Sequence, residues 1–225
     1  MGTLFFPPAL WADLVLVQKV EERGPGAHTA EITIKAKGDK IRVDISPEIS
    51  FLMDTASGET ITLQHPQKTS MEVSAAAARQ LARKMERQRA EGQTANLVRL
   101  EPTGKRETLA GQETRVYTAQ SGTLKMTWWI AQNSPDTGKF LTLLALLRKA
   151  PMVQLAGDMA LLDATSPFPG IPLKTEITLP DGRKLTTTLL SLKEAPLENL
   201  DFTVPPGYSS LPKPLFDPAP PVNTP

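Results

Sequence analysis

The stretch Glu31-Ile32-Thr33-Ile34-Lys35-Ala36-Lys37-Gly38-Asp39-Lys40-Ile41-Arg42-Val43-Asp44-Ile45 switches between polar and apolar residues on both sides of a glycine. Ile32, Ile34 and Ala36 fall on one side of an extended chain and Glu31, Thr33 and Lys35 on the other. After the turn, Ile41, Val43 and Ile45 alternate with Lys40, Arg42 and Asp44. This predicts a hairpin with one apolar and one wet face. Upstream, residues 14–21 continue the pattern. Downstream, Gly58 ends a second turn, Ile61 and Leu63 alternate with Thr60, Thr62 and Gln64, and Met71 and Val73 flank Glu72 beyond Pro66. About five antiparallel strands are expected before residue 74, and their apolar face needs a cover.

The period then changes. Ser74 is a candidate N-cap, residues 75–91 contain neither proline nor glycine, and Gly92 supplies a stop, so a helix is predicted. Its apolar stripe is thin, and Arg79, Arg83, Lys84, Arg87 and Arg89 crowd the rest. Strand patterning resumes over 96–101, 113–119 and 123–131. In the last of these Leu124, Met126, Trp128 and Ile130 share a face and Trp129 points away. Residues 140–147 are apolar nearly all round, which predicts a helix buried on most sides. A third helical piece is expected over 152–163. Pro180-Asp181-Gly182 then turns a hairpin between strands at 173–179 and 184–192. The fold class expected is α+β, with about ten antiparallel strands and about three helices covering the sheet. The domain runs over 13–204. Residues 205–225 hold eight prolines and predict a disordered tail.

The composition excludes several classes of function. With 25 basic and 24 acidic residues the chain carries +1, so it lacks the single-sign field of a uniformly basic nucleic-acid binder. There is no cysteine, hence no disulfide, no thiolate nucleophile and no lipidated N-terminal thiol. No apolar run approaches the roughly 20 residues that a bilayer core requires, so no transmembrane span is expected. Residues 4–12 are apolar and uncharged, with Leu10 and Ala12 placed like the end of a secretory signal. Residues 1–12 therefore read as the remnant of an export signal, the alternative being an ordinary first hydrophobic segment.

Catalytic patterns are missing. His28 and His65 have no partner at metal-ligand spacing, Gly24-Pro25-Gly26 lacks the rest of a dinucleotide loop, and Ser210 to Lys213 sits among the tail prolines. Asp44 falls on the polar side of its strand beside Arg42, where a solvated charge explains it better than a partnership with Asp54. No catalytic residue, metal or cofactor is implied. The apolar inventory is richer, with Met53, Met71, Met85, Met126, Met152 and Met159 beside Trp128. Methionine suits a core that re-packs around variable apolar guests, and suits an ordinary core equally.

Four segments carry a resemblance: residues 38–44; Pro66-Gln67-Lys68 ahead of Met71; Trp128-Trp129-Ile130; and Phe202-Thr203-Val204-Pro205-Pro206-Gly207-Tyr208. Together with the order of elements they resemble the LolA/LolB-like group of exported bacterial proteins, and within it the domain-of-unknown-function families, over residues 13–210. The resemblance implies a curved antiparallel half-barrel closed by helices over a hydrophobic cavity. It also implies a periplasmic or secreted carrier or sensor of acyl chains or lipoproteins, with no catalytic residues to transfer. The expected ligand face is Ile32, Ile34, Ile41, Val43, Ile61, Leu63, Met71, Met126, Trp128 and Ile130, with Phe140, Leu144 and Leu147 as a movable plug. The partner expected is a lipid or lipoprotein acyl chain. The alternatives are a cell-envelope structural or protein-interaction module with a packed interior, and an envelope factor whose arginine-rich helix meets anionic lipid.

Overall fold

The computed structural model describes residues 13–24, 26–78, 80, 100–121, 123–150 and 169–212. The opening hairpin forms as its alternation dictates. Strand β2 (Thr29–Lys37) and strand β3 (Lys40–Ser46) pair antiparallel, joined at Gly38, whose φ of 56° is the left-handed conformation that a tight turn favours. Around this hairpin stand β1 (Leu14–Arg23), β4 (Ile49–Asp54), β5 (Thr60–Gln64), β6 (Thr69–Val73), β7 (Glu101–Leu109), β8 (Gln112–Ser121), β9 (Leu124–Ala131), β10 (Ile171–Thr178), β11 (Lys184–Glu194) and β12 (Ser209–Ser210). They form one open sheet in the order β12-β6-β5-β4-β3-β2-β1-β11-β10-β9-β8-β7. Every pairing is antiparallel except β12 with β6.

Among the described residues there are twelve strands rather than about ten. Strand β4 escapes period-two reading because Phe51, Leu52 and Met53 are consecutive and all at least half-buried, which erases the alternation. The other addition, β12, has only two residues and no apolar side chain. The strand expected over 96–101 also differs, since β7 begins at Glu101 and residues 96–99 lie outside those described. β7 is exposed along almost its whole length and holds Pro102, Gly104, Lys105 and Arg106. That suits a protected edge strand and gives no hydrophobic signal.

Helices among the described residues are fewer than expected. Residues 75–78 form the start of the predicted helix, with Ser74 acting as its cap: the Ala77 amide donates to Ser74 Oγ at 3.3 Å. Most of that helix, including Arg83, Arg87 and Arg89, lies outside the described residues, as does the piece expected over 152–163. The helix α1 (Thr137–Lys149) forms around the apolar run 140–147, buries Phe140, Leu143, Leu144 and Leu147, and ends at Ala150 ahead of Pro151. Arg148 and Lys149 in its last turn suit the negative end of the helix dipole. No helix among the described residues is long and apolar enough to cross a membrane.

Directly paired residues point to the same side of a sheet, so the register divides its two faces. Ile34 pairs with Val43, Ala36 with Ile41, Ile41 with Met53 and Val43 with Phe51, and all of these belong to the core shared with α1. That core runs from β4 to β8 without a break, across eight neighbouring strands that would span about 34 Å laid flat. Helix α1, about 20 Å long, is shorter than that width, which suits a curved open sheet better than a flat one. The opposite, outer face carries Lys35, Arg42, Asp44 and Ser50.

After β11 the chain crosses this outer face. Leu197 and Phe202, the latter in a 3-10 turn (Asn199–Phe202), bury against Val15. Residues 208–211, expected to lie in the tail, are bound to the sheet instead and contribute β12. Residues 1–12 and 213–225 are outside the described residues.

Candidate functional site

The face under α1 brings most of the expected ligand residues together. Ile34, Ile41, Val43, Met126, Trp128, Ile130, Phe140, Leu144 and Leu147 are buried in one cluster, and Ile32 packs at its rim. The strands bring them together by pairing: Trp128 lies opposite Tyr117 and Thr175, and Met126 opposite Ala119 and Ile177. The helix contributes through its own spacing, since Phe140, Leu143, Leu144 and Leu147 recur at three- and four-residue steps. Its outward side is also apolar in part, with Leu141 40% exposed.

Three expected residues stand elsewhere. Ile61 pairs with Leu52 and Leu63 with Ser50, so both point to the outer face, where Leu63 is completely buried. The assumption that they share a face with Ile41 and Val43 is therefore corrected. Alternation sets parity only within a strand, and the turn between β4 and β5 decides which parity faces α1. Met71 points towards α1, since it pairs with Thr62, but it is half-buried and outside the shared cluster. Conversely, Leu143, Ile171 and Leu173 belong to the cluster and were missed. The i+3 spacing from Phe140 could have flagged Leu143, and alternation along β10 the other two.

The outer face holds a second arrangement that the sequence did not suggest. Arg42 Nε donates to Asp44 Oδ1 at 2.7 Å, and Ser50 Oγ donates to the same oxygen at 2.5 Å. His65 Nε2 lies 2.7 Å from Ser50 Oγ, and His65 Nδ1 lies 2.5 Å from the Tyr208 hydroxyl. An open cleft of about 760 Å³ beside them is lined in part by His28, Glu31, Glu48 and His65. Asp44 is thus an anchored group rather than a solvated charge.

A serine, a histidine and an aspartate in contact invite a nucleophilic reading, but the donor directions oppose it. Ser50 has one hydroxyl proton and gives it to Asp44, so the hydrogen between Ser50 and His65 comes from Nε2 of the ring. That leaves the imidazole no lone pair on the serine side, where a general base needs one. Ser50 is moreover 1% exposed. The chain of donors from Tyr208 through His65 and Ser50 to Asp44 holds structure together. Among the described residues no three histidines, aspartates or glutamates gather as a metal-binding group. Charge also meets charge on this face: the Lys35 ammonium, 2.6 Å from Asp201, holds that carboxyl below the usual range against the opposing effect of burial.

Several solved structures are similar to this chain at low identity. PNGF-II is 11% identical over 88% of this chain, with a TM-score of 0.38, and the chain spans only 30% of its length. A LolA superfamily protein from Nitrosomonas europaea is 11% identical, with 88% of this chain and 91% of that one covered and a TM-score of 0.32. A putative outer membrane lipoprotein-sorting protein domain from Vibrio parahaemolyticus is also 11% identical, with coverages of 85% and 89% and a TM-score of 0.33. No curated protein sequence matches. The sequence itself matches the model of a family described as a domain of unknown function over residues 19–208, and the chain belongs to that family, DUF4412.

Proposed function

We propose that this chain is a non-enzymatic binding protein of the cell envelope, which holds an acyl chain of a lipid or lipoprotein between the curved sheet and α1. The observation that carries this reading is the cover itself. A large apolar face spanning eight strands is capped by a helix whose outward side is apolar in part, with Leu141 40% exposed. Such a helix can exchange its contacts with the sheet for contacts with another apolar group at little net cost, because both remove similar area from water at about 25 cal/mol per Å². The ligand residues we propose are the expected ones that are buried on that face, Ile34, Ile41, Val43, Met126, Trp128 and Ile130, with Ile32 and Met71 at its margins and Phe140, Leu144 and Leu147 as the displaceable plug.

One observation favours the alternative of a packed interaction module: all nine of these residues other than Ile32 and Met71 are buried against their neighbours. Native mass spectrometry of freshly purified protein, followed by titration of the delipidated protein with a fluorescent fatty acid, separates the two. The carrier should retain lipid and take up the probe, with Leu144→Ala shifting the apparent Kd at least threefold and Leu63→Ala, on the outer face, leaving it unchanged. A wild-type protein that carries no lipid and ignores the probe is a packed module.

A further inference from the structure

Residues 195–212 leave β11 in the middle of the sheet and finish beside β6, where they form the edge strand β12. They are held at two ends. At the near end the Leu197 amide donates to Asp13 Oδ2 at 2.9 Å and Lys37 Nζ donates to the Leu197 carbonyl. Close by, Lys35 Nζ donates to Asp201 Oδ1 at 2.6 Å and Arg42 Nη1 to the Asp201 carbonyl at 3.1 Å. At the far end Tyr208 bonds His65, the Ser209 amide donates to the Lys68 carbonyl at 2.9 Å, and the Leu211 amide to the Ser70 carbonyl at 2.7 Å.

A two-residue parallel strand at a sheet edge would by itself fray first and independently of everything upstream. Two features oppose that here. The ends are joined by an unbroken path of hydrogen bonds across the outer face: Tyr208 to His65, His65 to Ser50, Ser50 to Asp44, Asp44 to Arg42, and Arg42 to the Asp201 carbonyl. Ser50, in the centre of the path, is buried, so losing one neighbour there cannot be made good by water. The second link is the chain itself: Pro205-Pro206 fixes two φ angles between the buried Phe202 and Tyr208, which leaves little slack.

We infer that residues 195–212 act as a clasp whose two ends, coupled through the Arg42–Asp44–Ser50–His65 network, let go of β2, β3 and β6 in one step. Its opening bares the edge of β6 while the β8–β10 half stays folded. This goes beyond the proposed binding function and holds whether or not the face under α1 takes a ligand.

Amide hydrogen exchange on two conservative variants tests it. Tyr208→Phe keeps the ring and removes the hydroxyl at the far end; Asp201→Asn removes the charge at the near end. The clasp requires Tyr208→Phe to speed exchange at residues 197–203, and Asp201→Asn to speed it at Ser209 and Leu211, each at least threefold, with β8–β10 unchanged. Acceleration confined to the altered end, acceleration spread equally into β8–β10, or no acceleration overturns the inference.

Discussion

Gly170 stands at the entrance to β10, and a Cβ placed on it would lie 2.2 Å from the Ala131 carbonyl oxygen and 2.7 Å from Gln132 Cα. Both atoms are backbone, held by the pairing of Ile171 with Ala131, so neither can swing aside. Gly170→Ala should therefore cost about 3 kcal/mol, on the order of 10 °C in Tm for a chain of this size, measured by calorimetry. A Tm within 2 °C of wild type would mean that the β9–β10 junction yields more readily than its geometry implies. Ser50 makes a different point at the same scale. It is a small polar residue whose neighbours in sequence, Ile49 and Phe51, are apolar, and nothing local marks it as important. Its role comes from Asp44, six residues before it, and His65, fifteen after, which only strand pairing brings to it. Ser50→Ala leaves two groups each short of a partner and should lower stability by about 1–3 kcal/mol, read from the urea midpoint.

Among the elements, α1 and the segment after β11 answer to opposite forces. The helix is held by apolar area, so Leu144→Ala should destabilise by about 2–5 kcal/mol in chemical unfolding, with little dependence on salt or pH. The C-terminal segment is held partly by charge. Lys35 keeps the folded pKa of Asp201 below the unfolded value, so the pair's contribution is complete above the ordinary carboxylate pKa, about 3.9, and fades as pH falls through the lower folded value. Unfolding midpoints of the wild type and Asp201→Asn should consequently differ at pH 7 and converge towards pH 2. A gap that stays constant across that range would show that the pair is not the source of the difference. Element-level reading of the sequence succeeded for α1 and for the β2–β3 hairpin, where one pattern persists for several residues. It failed for β4, whose two faces are both covered, and for β7, whose two faces are both wet, because either condition removes the contrast that periodicity needs.

At the scale of the molecule, the described residues place two layers on one sheet: α1 against the apolar face and the C-terminal segment against the outer one. What the amino-acid sequence determined by itself is the stock of apolar surface and its local phase: which residues of a strand or helix share a side, where turns fall, and the thiol chemistry that the missing cysteines exclude. That information is local, since it depends on backbone geometry over a few residues. Tertiary structure alone decided which side of each strand meets α1, as Ile61 and Leu63 show by facing away from Ile41 and Val43. It alone joined Tyr208 to His65 across 143 positions and laid proline-rich chain against an open sheet edge. Those outcomes depend on register and on contacts between distant segments, and no local periodicity encodes either.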